Sequence, residues 1–177
     1  MKVIADVMLT DVGRWLRIIG VETYIASKDM SDEEILYEAK KGNFTILTED
    51  EELSKRAKRI GLEVIFVYPR ISNLKEKLLF VLKRLKISKN KIKNFEKYTL
   101  CTKCGGDLKR VNVNKAKKTK LAEIKQKVPA YILKKHEKIW ICKKCNQIYW
   151  EGSHWKNIQS FLNELIKEIE NSDVHES

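Results

Sequence analysis

Short apolar runs alternate with amphipathic segments through the first half of this chain, and that rhythm limits the folds open to it. "KVIADVM", "VETYIA", "FTILT" and "LEVIFV" read as strands. Between them, apolar residues recur three or four apart, as on one face of a helix. The sets are Val12, Trp15, Leu16 and Ile19, then Ile35, Leu36 and Ala39, then Leu53, Ala57 and Ile60. Thr10 is placed to cap the first helix and Gly20 to end it. Ser31, with Glu34 three residues on, opens the second as a capping box, and Gly42 closes it. Gly61 closes the third. A longer stripe of Leu74, Leu78, Val81, Leu82 and Leu85 follows the fourth strand. Strands alternating with helices imply an α/β fold, a parallel sheet with right-handed crossovers flanked by helices. The usable crevice of such a sheet lies at the carboxyl ends of its strands.

Acidic residues fall on that edge. Asp6 lies in or just after the first apolar run, where a carboxylate is costly unless paired or bound to metal. Asp50 follows the third run, and Asp32 begins the helix that leads into it. Glu49, Asp50, Glu51 and Glu52 have an ordinary explanation as helix-start residues favoured by the dipole, as do Asp32 and Glu33. Three carboxylates at one end of a sheet would repel each other, however, and a divalent cation removes the repulsion. Oxygen-only ligation suits Mg²⁺ or Mn²⁺. Such an ion activates water and stabilises charge on a phosphodiester under attack. Arg14 and Arg17, three apart just after Asp6, either clamp a backbone phosphate or form surface ion pairs.

Beyond Lys86 the character changes. "KISKNKIKNFEK" is polar, basic and without clear period, a linker or an exposed basic helix. All four cysteines then occur in two Cys-x-x-Cys pairs, Cys101 with Cys104 and Cys142 with Cys145. Two residues between cysteines let one turn present both thiolates to one ion, and two such turns complete a closed tetrahedral zinc site. Gly105 and Gly106 supply the tight turn. Disulfides do not suit an intracellular chain, and no thioredoxin-type unit surrounds either pair. The stretch between the pairs, which includes Lys117, Lys118 and Lys120, must form its own loop or hairpin. Its lysines, with Tyr131, Trp140, Tyr149, Trp150 and Trp155 nearby, either contact a polyanion or are solvated around a small aromatic core. Ile158, Phe161, Leu162, Leu165, Ile166 and Ile169 mark a terminal amphipathic helix, and "NSDVHES" reads as a frayed tail. The expected organisation is 1–97, 98–157 and 158–177.

The formal net charge is +12, from 36 Lys+Arg against 24 Asp+Glu. That balance favours nucleic acid. No apolar run is long enough to cross a bilayer, which points to a cytoplasmic protein without a membrane partner. No Gly-rich nucleotide loop is present, so ATP use is not expected.

The element order resembles a PIN-like nuclease domain. More narrowly, "ADVMLTDVGRWLRIIGVETY", "SDEEILYEAKKGNFTILTED" and "WICKKCNQIYWEGSHW" resemble the mut-seven C-terminal RNase domain family, in which a PIN-like fold precedes a zinc ribbon. The resemblance implies acidic site residues at Asp6, Asp32 and Asp50 and zinc on Cys101, Cys104, Cys142 and Cys145. It implies a metal-dependent ribonuclease whose partner is RNA. A non-catalytic RNA- or ribosome-associated adaptor and a DNA-directed nuclease are the alternatives. Two positions depart from the family pattern. Glu49 stands where the family commonly has Arg, which exchanges a phosphate-attracting group for a repelling one. Thr10 stands where it has Gly. His154, in "WEGSHW", either reaches the acidic site, contacts phosphate or packs between tryptophans. His136 and His175 read as surface residues.

Overall fold

Four parallel strands form the first sheet in a computed structural model of the chain, which describes residues 1–115 and 118–174. They are β1 (Lys2–Ala5), β2 (Glu22–Ile25), β3 (Thr45–Thr48) and β4 (Val64–Phe66), in the order β2-β1-β3-β4. In register, Ile4 lies beside Tyr24 and Ile46, and Leu47 beside Ile65. Helices α1 (Thr10–Ile18), α2 (Asp32–Gly42) and α3 (Glu51–Arg59) connect the strands, and α4 (Leu74–Arg84) follows β4. Strand residues alternate between the two faces. Val3, Ala5 and Leu47 pack with apolar residues of α1 and α4. Ile4 and Ile46 pack with those of α2 and α3.

Most local signals act as expected. Ser31 and Glu34 close a capping box on α2, and Leu78, Val81, Leu82 and Leu85 are buried. Details at three helix ends differ. Thr10 does not cap α1; it is the first helical residue, its hydroxyl donates to the Val7 carbonyl at 2.7 Å, and a 3₁₀ turn at Val7–Leu9 precedes it. Asp6 caps that turn instead. Gly42 is the last residue of α2, and Asn43 takes the left-handed position after it, a conformation Asn tolerates. Ile60 is the C-cap of α3 and is exposed, so it does not join Leu53 and Ala57 in the core.

The basic stretch after Lys86 is neither a linker nor an exposed helix. It forms α5 (Lys89–Lys93) and a 3₁₀ turn, and buries Ile92 and Phe95 in the α/β core. The second sheet is antiparallel, with β5 (Leu108–Asn112), β6 (Lys138–Cys142) and β7 (Ile148–Trp150) in that order. Between β5 and β6 the insert is helical rather than a loop or hairpin. Helices α6 (Lys118–Lys127) and α7 (Ala130–Lys135), with Val128 between them, bury Ile124, Val128 and Ile132 against Ile139, Ile141 and Ile148. Lys117 and His175 lie outside the described residues; Lys118 and Lys120 belong to the first turn of α6.

The terminal helix α8 (Ser153–Val174) begins earlier than Ile158 and continues into the expected tail. Its Leu162, Leu165, Ile166 and Ile169 join the same buried cluster as β1, α1 and α4. The chain thus leaves the first sheet, builds the second and returns to pack on the first. Among the described residues no helix is long and apolar enough to cross a membrane.

Arg17 fastens the two sheets together. It is 5 % exposed, its Nε donates to the Thr23 carbonyl and its Nη1 to the Thr102 carbonyl, each at 2.9 Å. Burial pushes its pKa down, and the neighbouring Cys101 and Cys104 counter that shift. Its own carbonyl accepts the Leu100 N–H. The phosphate-clamp reading therefore fails for Arg17, since its guanidinium is committed inside the fold. Arg17→Ala should strand two carbonyls and cost about 3 kcal/mol of stability, read as a lower urea midpoint. An unchanged midpoint would show that the junction carries no strength.

Candidate functional site

Backbone and hydroxyl groups hold the acidic edge in place. Asp6 directly follows β1 and is 8 % exposed. Its Oδ1 accepts the Val7 N–H at 2.6 Å and its Oδ2 accepts the Thr48 hydroxyl at 2.8 Å. The same Thr48 oxygen accepts the Asp50 N–H at 2.9 Å. Thr48 therefore ties the ends of β1 and β3 together, a role that the motif "TED" did not disclose. Asp50 caps α3, with Oδ1 accepting the Leu53 N–H at 2.9 Å. Asp32 opens α2 and its Oδ2 accepts from Arg56 at 3.1 Å, while Arg56 also holds Glu33 at 2.6 Å.

Asp50 and Asp6 both act on Asp32. Burial, then Asp50, with Glu33 and Asp6 adding to it, raises the pKa of Asp32, and Arg56 opposes the shift. Between the ordinary carboxyl pKa and this raised one, the folded chain holds more protons than the unfolded chain. Ionised Asp32 is thus a destabilising contribution at neutral pH that fades as pH falls. The convergence is incomplete. Among the described residues the four cysteines are the one set of three or more ligating side chains whose donor atoms gather within 4.8 Å. Asp6, Asp32 and Asp50 do not form a second such set, and each is engaged by a backbone N–H, a hydroxyl or an arginine.

The remaining acids of "TEDEEL" have other partners. Glu51 and Glu52 pair with Lys55 at 2.9 and 3.5 Å. Glu49 is nearly buried and pairs with Lys77 of α4. The charge that Glu49 brings to this edge is therefore paired with a lysine of another helix.

At the second sheet the cysteines form one cluster. Cys104 and Cys142 sulfurs are 3.4 Å apart, and those of Cys101 and Cys145 are 3.6 Å apart. A tetrahedron of 2.3 Å Zn–S bonds has edges of about 3.8 Å, so the four thiols fit a zinc ion. None is in a disulfide. Gly105 turns the knuckle at φ 75°, and a Cβ on Gly106 would lie 3.1 Å from the Cys142 sulfur. Lys144 and Cys145 N–H groups point at that sulfur from 3.4 and 3.5 Å. Burial pushes the Cys101 thiol up, but hydrogen bonding, led by the Tyr149 hydroxyl 3.1 Å away, brings it down to about 7. Burial drives Cys104 up to about 12.

A family model, the Mut7-C RNAse domain, matches residues 1–162. The chain belongs to the Mut7-C RNAse domain family. The match spans both the acidic edge and the cysteine cluster. No match was found among curated proteins or solved structures. Membership gives the chain a nuclease-type function of the RNase class.

In this Mut7-C domain the two centres lie at opposite edges of the first sheet. Helix α1 starts beside Asp6 and runs back to the amino ends of the strands, where Ile18 and Arg17 meet the ribbon. Its nine residues alone span about 14 Å. His154, exposed in the first turn of α8, lies on the ribbon side and does not reach the acids. It does not sit between tryptophans either; Trp155 does the stacking, on Trp140 at 5.3 Å. His136 is half-buried rather than a surface residue. Arg14 is exposed and paired with Asp11 at 3.3 Å, the surface ion pair of its two readings.

Proposed function

We propose that this chain is a metal-dependent ribonuclease of the PIN-like type that hydrolyses RNA phosphodiesters at the acidic edge. The observation that carries the reading is that Asp6, Asp32 and Asp50, from three separate segments, are near enough for Asp50 and Asp6 to act on Asp32, while Thr48 links Asp6 to Asp50. Asp6 and Asp50 would hold Mg²⁺ or Mn²⁺, with Asp32 assisting; their all-oxygen donor set suits either ion. Oδ2 of Asp50 and Oδ1 of Asp32 have no hydrogen-bond partner among the described residues, so both are available as donors. Bound there, the ion would supply a nucleophile from water and offset charge on the phosphodiester. The chain's own part is placement. Val7 and Thr48 fix the Asp6 carboxylate before substrate arrives, and Arg56 holds Asp32 to the same edge. The ribbon, the lysines of the insert and the excess positive charge bind the RNA.

That the three aspartates do not gather their oxygens within 4.8 Å, as the cysteines do their sulfurs, favours a second reading, an RNA- or ribosome-binding adaptor without catalysis. A DNA-directed nuclease is a third. Incubation of RNA and DNA oligonucleotides with Mn²⁺, with and without chelator, separates them. The expected result is RNA cleavage that the chelator abolishes. Salt-sensitive RNA binding with no products would support the adaptor, and preferential DNA cleavage the third reading.

A further inference from the structure

A cavity of about 730 Å³ lies between the second sheet, α7 and the start of α8. That size suits a small-molecule site. Its walls include Tyr131, Trp140, Trp150 and Trp155. Tyr131 is 68 % exposed, although its neighbour Ile132 is buried. Packing explains Ile132 and leaves Tyr131 unexplained. The Trp155 indole N–H is buried with no acceptor among the described residues.

Polar groups complete the lining. Lys135 is exposed there, and His136 and His154 join it. Ser153 and His154 form the first turn of α8, a 22-residue helix whose amino end favours an anion. Glu96, held by Gln159 at 3.1 Å, offers an acceptor for an amino group. Aromatic walls alone would suit any flat apolar guest. A cation and a helix amino terminus beside them suit a flat ring that carries a phosphate.

We infer that this cavity holds one unpaired nucleotide of an RNA strand. The base sits among the tyrosine and tryptophan rings, and the phosphate lies toward Lys135 and the start of α8. The inference rests on the ribonuclease reading and adds an anchor to it. The anchor is at the amino ends of the strands, so it grips RNA at a point separated from Asp6 by at least the length of α1. A strand must reach from one edge of the sheet to the other to gain from it.

Tryptophan fluorescence of the intact zinc-loaded protein tests this, with the four ribonucleoside 5′-monophosphates, a parent nucleoside and inorganic phosphate as probes. At least one nucleotide should quench saturably, the nucleoside more weakly, and phosphate alone not at all. Tyr131→Ala should weaken nucleotide binding about tenfold, in line with the loss of one stacking ring. Lys135→Gln should weaken the nucleotide but not the nucleoside. Both positions are exposed, so zinc content and circular dichroism should match the parent. No saturable quench by any nucleotide at millimolar concentration would overturn the proposal, as would parent-like binding by both variants. The ribonuclease reading fails separately, through absence of cleavage, and nucleotide binding would survive that failure.

Discussion

Cys142→Ser is expected to abolish zinc binding by the four-cysteine cluster and to unfold the second sheet. Cys142 is fully buried, its sulfur lies 3.4 Å from that of Cys104, and two backbone N–H groups point at it. A serine hydroxyl keeps its proton at neutral pH and is a poor zinc ligand. Structural zinc contributes apparent binding of about 10–16 kcal/mol, as much as the whole stability of an ordinary domain, about 5–15 kcal/mol. The second sheet has little to set against that loss, since its own core is a small cluster around Val113, Ile124, Ile139 and Ile148. The first sheet has two buried clusters of its own and should keep its helical signal. Zinc content should fall from about one ion per chain to none, and limited proteolysis should cut within residues 98–152. A variant that retains its zinc and melts like the parent would mean that these thiols are not the ligands.

That division mirrors what could be read from the sequence. The first sheet was legible because its signals are local. Ser31 and Glu34 are three residues apart, and the α4 stripe from Leu74 to Leu85 keeps one helical period. The cysteine pairs were legible because two intervening residues nearly dictate a shared ion. The helical insert was missed although a signal was present, for Leu121, Ile124 and Val128 follow a 3,4 spacing among lysines. High charge hid it. The same holds for Ile92 and Phe95, two buried residues in a stretch that otherwise reads as solvated.

The candidate site shows a different limit. Asp6, Asp32 and Asp50 could be placed on one edge from element order, because that depends only on where strands end. The groups that hold them could not, because Thr48 and Arg56 come from distant segments. Arg17 is the sharpest case. Nothing in "GRWLRIIG" separates an exposed Arg14 from an Arg17 whose partners are Thr23 and Thr102; the second partner is distant in sequence. Glu49 is similar, since its counter-charge comes from Lys77 on another helix.

Asp6→Asn should leave the fold intact and remove cleavage. The amide oxygen can still accept the Val7 N–H, and the Thr48 hydroxyl can rotate to accept from the new amide group. What disappears is one negative charge at the point where the strands deliver it. If Asp6 holds the ion, losing several kcal/mol of charge stabilisation slows cleavage by about 10³-fold or more. RNA affinity should stay the same or rise, because the substitution removes repulsion toward phosphate. The pKa of Asp32 should move back toward the ordinary carboxyl range, since Asp6 is one of the charges that raise it. Thr48→Val sharpens the test. It keeps every carboxylate but deletes the hydroxyl that joins Asp6 to Asp50, so it should slow cleavage less than Asp6→Asn does. Cleavage at the parent rate by Asp6→Asn would move the chemistry away from this edge. If Thr48→Val alone were harmless, the carboxylates would be shown to act without the link that the fold places between them.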